Sequence, residues 1–389
     1  MHMQSFDFFM PSRVLFGSGR LKTLHEQKLP GRKALIAISS GGSARRHGYL
    51  STLEHELDLA GVDHVVFEGI RQNPDRRCVM AGAKAARESG CDFVAAIGGG
   101  SAMDCAKAIA LMMANDGDIW DYSQSGQGGK QIPPHPAAPL VAITTSAGTG
   151  SEVDPSGVIS NDDTGEKTDI FYESMFPAIS VVDPDLMASV PPRFTACQGM
   201  DAFFHAAESV VNTKENPVGE MFALKAIELV AKYLPRAYED GSDREARANV
   251  ALANTLAGFY MLCTSQHSME HVMGGFHKDL IHGEGLVMIS EAYFGFFAKR
   301  KAAELPMVKM ARAMGVADAK SGMDFMAALH GLIEAVGCGS LRMSDAGITR
   351  DELKLYPRRV HEVLGGDTTA DPLPLSDEDY LSIYEESYR

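Results

Sequence analysis

Along the first half of the chain, short apolar runs alternate with stretches in which apolar residues recur every three or four positions. The runs KALIAIS (33–39), DHVVFEG (63–69), DFVAAIGGG (92–100), PLVAITTSAG (139–148) and AISVVD (178–183) read as strands. They are almost continuously apolar, the pattern of a parallel sheet covered on both faces. Between them, DRRCVMAGAKAARESG (75–90) and SAMDCAKAIALMMAN (101–115) have helical spacing. Strand and helix in repeated alternation predict a βαβ sheet. From about residue 193 the pattern changes to helix after helix, as in GEMFALKAIELVAKYLPRAYED and REARANVALANTLAGFYMLCTS. The last stretch is polar and turn-rich until SDEDYLSIYEESY supplies a capped final helix. The expectation is an α/β N-terminal domain over 1–190 and an all-α C-terminal domain over 191–389.

Three glycine clusters fall at the ends of predicted strands, where open α/β sheets bind ligands. They are Ser40-Gly41-Gly42-Ser43, Gly98-Gly99-Gly100-Ser101, and Thr144-Thr145-Ser146-Ala147-Gly148-Thr149-Gly150. Glycine lets backbone N–H groups approach an anion, and a following helix N-terminus adds partial positive charge. Several such loops in one domain predict a dinucleotide, although none has the G-x-G-x-x-G spacing. Ser39-Ser40 followed by Arg45 and Arg46 favours NADP over NAD, because hydroxyls and guanidinium groups suit a 2′-phosphate.

The helical half concentrates imidazoles: five of the 13 histidines fall between 205 and 282. Asp201 and His205 are four apart and share a helix face, as do His267 and His271; His282 follows after a Gly-Gly pair read as a turn. One carboxylate with three imidazoles suits Fe(II) or Zn(II) rather than Ca or Mg. His267 to His271 also spells H-x-x-E-H, the signature of certain zinc peptidases. That reading gives the glycine loops no role, so Glu270 is expected to be a helix-face residue making solvent or salt contacts. A metal beside a nicotinamide cofactor predicts hydride transfer to or from an alcohol instead.

Composition narrows the partners. At 389 residues, 45% hydrophobic and 22% charged, the chain has the make-up of a globular protein of about two domains. Its net charge of −15 argues against nucleic acid and membrane as partners. Six cysteines without any C-x-x-C pair predict reduced thiols. No basic segment followed by a long apolar run opens the sequence, so no leader is expected and the location is read as cytoplasmic.

GGGSAMDCAK, TTSAGTGSEV, GMDAFFHAAES and HSMEHVMGGFHKDLIHGEGL, in that order, resemble the iron-containing (group III) alcohol dehydrogenases over nearly the whole chain. The resemblance implies a dehydroquinate synthase-like fold: an α/β dinucleotide-binding domain with a parallel sheet, then an all-α metal-binding domain. It implies Asp201, His205, His267 and His282 as metal ligands, Fe(II) before Zn(II), and His271 as the non-ligand histidine near the nicotinamide. Gly98, Gly99, Ser101 and Asp104 are implied at the cofactor's phosphates, with Thr144, Thr145 and Ser146 beside them and Lys167 at its ribose. Ser40, Gly41, Gly42 and Ser43 are similar to the loop of the NADP-dependent butanol dehydrogenase branch, with Ser40 in place of a glycine. The interval from His271 to His282 is one residue longer than in many members. His277 within it is open between a second proton relay and an exposed turn residue. A homodimer acting on a small primary alcohol or aldehyde is the implied protein. The alternatives are a polyol dehydrogenase or maleylacetate-type reductase on the same fold, a metallopeptidase, and a non-catalytic cofactor-binding protein.

Overall fold

The computed structural model describes residues 5–214, 216–362 and 365–389. The leader-free reading of the N-terminus falls partly on residues 1–4 and lies outside them. Two compact units divide the chain: Met10–Ser189, and Val190–Arg389 together with the described residues before Met10.

In the first unit, the strands β1 (Arg13–Phe16), β2 (Lys33–Ser39), β3 (Asp63–Ile70), β4 (Phe93–Gly98), β5 (Leu140–Thr144) and β8 (Ile179–Val182) form one sheet. All pair in parallel, in the order β1-β8-β5-β4-β2-β3. Strands β6 (Ser156–Asn161) and β7 (Glu166–Phe171) make a separate antiparallel hairpin. The helices of this unit are α1 (Ser43–Arg46), α2 (Tyr49–Leu59), α3 (Arg76–Ser89) and α4 (Gly100–Ala114). Alternate side chains of the central strands enter two different cores. Leu35, Ala37, Val94 and Ala96 pack with Val79 and Ala83 of α3 and Met103 and Ile109 of α4. Ala34, Ile36, Ile38, Phe93, Ala95 and Ile97 pack with Leu50, Leu53 and Leu57 of α2. Burial on both faces is why these strands read as unbroken apolar runs.

Two features of this unit escape the apolar pattern. Strand β1 is four residues long, with Arg13 and Phe16 exposed, at the sheet edge. Hairpin β6–β7 alternates buried with half-buried positions, several of them Ser, Asn or Asp, so its apolar content is thin.

The second unit contains α5 (Pro192–Val211), α6 (Pro217–Glu239), α7 (Arg244–Gly258), α8 (Ser265–Phe276), α9 (His282–Arg300), α10 (Glu304–Ala313), α11 (Gly322–Ala335), α12 (Tyr356–Val360) and α13 (Asp377–Ser387). Its core is aromatic. Phe203 of α5 stacks with Phe325 of α11, and Phe204 with Phe294 of α9, at centroid distances of 6.4 and 6.3 Å. Each such buried ring contributes roughly 1.5–3 kcal/mol. In α13, Ser376 and Asp379 form a capping box, and the Tyr384 hydroxyl donates to the Met269 carbonyl of α8 at 2.8 Å. The helix that carries His267 and His271 is thereby anchored by the last helix of the chain.

The Gly274-Gly275 pair is not a turn. Helix α8 continues through it to Phe276, and the connection to α9 is residues 277–281. Two interior glycines cost about 1 kcal/mol each relative to alanine, which the packing of a helix buried from Ser265 to Gly274 offsets. Among the described residues, no helix is long and apolar enough to cross a membrane.

Candidate active site

Strands β2, β4 and β5 are neighbours in the sheet, so the loops that follow them emerge side by side at its carboxyl edge. Gly98 opposes Thr144 in register, and the Thr145 N–H donates to the Gly98 carbonyl at 2.9 Å. A Cβ on Gly99 would lie 3.2 Å from the Ser146 hydroxyl, so backbone and side chain of the two loops are in close contact. Helix α4 opens at Gly100, with Gly99 as an N-cap that offers no side-chain hydrogen bond and Ser101 in its first turn. Gly42, between Ser40-Gly41 and Ser43, has a φ of 71° and turns the chain into α1. Arg46 folds back to donate to the Gly41 carbonyl at 2.7 Å, whereas Arg45 is paired with Glu68 of β3 at 2.9 Å.

Asp104 and Lys107 join a buried polar network. The fully buried Lys107 ammonium donates to Ser151 Oγ, Asp154 Oδ1 and the Ser156 carbonyl, each at 2.8 Å. Ser151 Oγ in turn donates to Asp104 Oδ1 at 2.7 Å, and the Ser156 hydroxyl meets Asp169. Burial pushes the Asp104 carboxyl up to about 7 against the pull of Lys107 and Ser151, and that of Asp169 up to about 6. The network ties α4 to the loop after β5 and to the hairpin. Lys167 lies on β7, opposite Ser160.

In the helical unit, Asp201 and His205 lie on one face of α5, His267 on α8, and His282 at the first turn of α9. Asp201 Oδ1 is 3.7 Å from His205 Nε2, 3.6 Å from His267 Nε2 and 3.5 Å from His282 Nε2. Asp201 Oδ1 and His267 Nε2 are buried and make no hydrogen bond. The three distances are too long for hydrogen bonds. They are close to the ~3.4 Å edges of a tetrahedron with metal–ligand bonds near 2.1 Å. Burial would push the Asp201 carboxyl up, yet the imidazoles of His205, His282 and His267 hold it below the usual carboxylate range. A buried carboxylate facing three imidazole nitrogens fits a divalent cation.

The outer nitrogens are engaged as well. His267 Nδ1 is hydrogen-bonded to Glu208 and His282 Nδ1 to Glu270. Glu208 also accepts from the Thr264 N–H at 2.7 Å and the Thr264 hydroxyl at 3.0 Å. Beyond Thr264 the buried chain continues through the Tyr293 hydroxyl to Asp371, which also accepts from the Ser265 N–H. Of the solvent or salt contacts expected of Glu270, the structure shows the second and not the first: its side chain is buried and pairs with His282. Held there, it is not placed to act as the base of a peptidase. Cys263, which spacing did not single out, brings its sulfur near His205 and His267, and burial pushes its thiol up to about 11.

His271 is buried, with its ring centroid 5.5 Å from that of His282, and a Cβ on Gly365 would lie 2.6 Å from its Nδ1. His277 is half-buried, caps the end of α8 and faces Glu352 at 3.4 Å. Among the described residues it belongs to none of the donor clusters around His267 and His282. Glu208 was legible in principle, since it lies seven residues after Asp201 and so shares its face of α5.

The same two-part layout occurs in known proteins. The family model for iron-containing alcohol dehydrogenase matches residues 11–184, and that for the Fe-containing alcohol dehydrogenase family C-terminal region matches 195–388. NADH-dependent butanol dehydrogenase A of Clostridium acetobutylicum is 30% identical over 398 residues, covering 99% of this chain and 100% of the relative. Alcohol dehydrogenase 4 of Schizosaccharomyces pombe is 38% identical over 274 residues, which are 69% of this chain and 64% of that relative. The crystal structure of the archaeal halo-thermophilic Red Sea brine pool alcohol dehydrogenase ADH/D1, bound to NZQ, is similar with a TM-score of 0.93 and 31% identity. That match covers 99% of this chain and 100% of the other.

Proposed function

The chain belongs to the iron-containing alcohol dehydrogenase family, and from that premise we propose that it transfers a hydride between a small primary alcohol or its aldehyde and NADP. In this reading Asp201, His205, His267 and His282 hold one divalent ion, Fe(II) before Zn(II). The observation that carries it is the buried Asp201 Oδ1, 3.5–3.7 Å from three imidazole nitrogens without a hydrogen bond. When bound, the cation supplies Lewis acidity toward the alcohol or carbonyl oxygen, and the nicotinamide supplies the hydride acceptor or donor.

The chain's own groups have separable tasks. The backbone N–H groups of Gly98–Ser101 and of the loop after β5 bind the pyrophosphate, with α4 adding its N-terminal dipole. Ser40, Ser43 and Arg46 take the 2′-phosphate; Ser39 and Ser40 stand at the end of β2, where a carboxylate would repel it. His271 takes up at its imidazole the proton lost by the alcohol hydroxyl and returns it in the reverse direction.

The test is an aldehyde panel assayed with NADPH and with NADH after loading with Fe(II) or Zn(II). His267→Ala is expected to remove bound metal and activity together, by about a hundredfold or more. His271→Ala is expected to keep the metal while turnover falls on the order of 10²-fold. Loss of metal from the His271 variant, or reduction of no aldehyde with either cofactor, would overturn the reading.

A further inference from the structure

Two wholly buried carboxylates take no part in the hydride step, yet each grips a histidine from behind: Glu208 at His267 Nδ1 and Glu270 at His282 Nδ1. A neutral imidazole carries one N–H. A carboxylate at Nδ1 keeps that proton there and leaves the Nε2 lone pair to bind a cation. In both residues Nε2 is the nitrogen that faces Asp201 Oδ1. A separate feature of α9 points the same way. Gly285 stands one turn after the start of the helix, and a Cβ there would lie 2.8 Å from Glu270 Cγ and 3.0 Å from its Oε1. The helix that carries His282 thus leaves room for the side chain that holds it.

We infer that Glu208 and Glu270 are positioning residues that fix His267 and His282 as Nδ1–H tautomers and aim their Nε2 lone pairs at the cation. This role depends on the proposed metal at Asp201, His205, His267 and His282. Glu270 adjoins His271 in sequence but acts through His282, twelve positions on, because α8 and α9 pack together at Gly285. Removing either carboxylate frees the imidazole it orients, so binding weakens without the loss of a ligand.

Co(II) is the probe, titrated into metal-free full-length protein and followed by its d–d absorption, with near-ultraviolet circular dichroism as the check on folding. Wild type is expected to bind one ion. Glu270→Ala and Glu208→Ala are expected to weaken binding about 10–100-fold. Glu270→Gln, which keeps an acceptor oxygen in the same volume but loses the charge, should fall between and carries the test if the alanine variant does not fold. Gly285→Ala should weaken Co(II) binding in the wild-type background and cost nothing further when added to Glu270→Ala, a non-additivity that a general packing defect would not produce. Wild-type affinity and spectrum in Glu270→Ala would sink the inference while His267→Ala, binding nothing, leaves the metal reading standing. A fall in stoichiometry from two ions to one in Glu270→Ala would also overturn it, making Glu270 a ligand of a second ion. If wild type binds no ion, both readings fall together.

Discussion

Asp104 is separated by a single hydroxyl, that of Ser151, from a lysine wholly enclosed by protein. Its carboxyl titrates at about 7 in the fold and at about 3.9 in an unfolded chain, so the fold favours the protonated form. The stabilisation this gives is complete below about pH 4 and is lost as pH rises through about 7. Asp169 acts in the same sense up to about 6. Asp104→Asn, which imitates the protonated carboxyl, is expected to gain stability on wild type as pH rises from about 5 to about 8. The gain should reach roughly 1–3 kcal/mol, or several degrees in Tm. Thermal melts across that range check it; a difference that does not change with pH would assign the titration to another group. At this scale the pairing of Asp201 with His205 was legible from spacing, because an i,i+4 pair declares a shared face, whereas the set with His267 and His282 came from the family resemblance. Glu270 was not legible. Helix α8 is buried on every face from Ser265 to Gly274, so position along it says nothing about which side chains meet water.

Strand β2 has the bounds that its apolar run suggests, Lys33–Ser39, because a strand buried on both faces is as apolar as its sequence can make it. The hairpin β6–β7 left no such trace, being short and half polar, yet it supplies the Ser156 and Asp169 groups that meet the Lys107 network. The loop between β2 and α1 shows what spacing omits. Arg45 and Arg46 read as two equivalent cations, but Glu68 of β3 pairs with the first, while the second reaches only a backbone carbonyl of its own loop. Arg46→Ala is therefore expected to raise KM for NADPH about tenfold or more, the worth of a charge-assisted hydrogen bond, with little change for NADH. Glu68→Gln should release Arg45 and lower KM for NADPH. Steady-state kinetics with both cofactors decide it, and equal effects on the two would remove Arg46 from the 2′-phosphate.

The two units divide between Ser189 and Val190, with the described residues before Met10 on the helical side. All four proposed ligand residues lie on the helical side and all three glycine loops on the other. Ligands that bind only the folded form stabilise the unit that holds them, by about 4 kcal/mol at a thousand times the dissociation constant. Calorimetry is expected to show chelation by EDTA lowering the transition of the helical unit and NADPH raising that of the α/β unit. A single transition shifted equally by both would contradict this division. One part of the helical unit was illegible: the described residues before Met10, numbers 5–9, a short aromatic cluster with no periodic context. Phe8 packs at 5.8 Å from Phe222 and 6.4 Å from Tyr260, and Asn216 donates to the Asp7 carbonyl across 209 residues.

That contact sets an order of assembly. On the ribosome the α/β unit is continuous and can close as soon as its last strand is made. The helical unit is interrupted: the segment around Phe8 precedes all of its helices, so its contact with α6 closes a very long loop. The rings that Phe8 meets in the fold, Phe222 and Tyr260, are made more than two hundred residues after it, so this aromatic segment is a late surface for a nascent chain to cover.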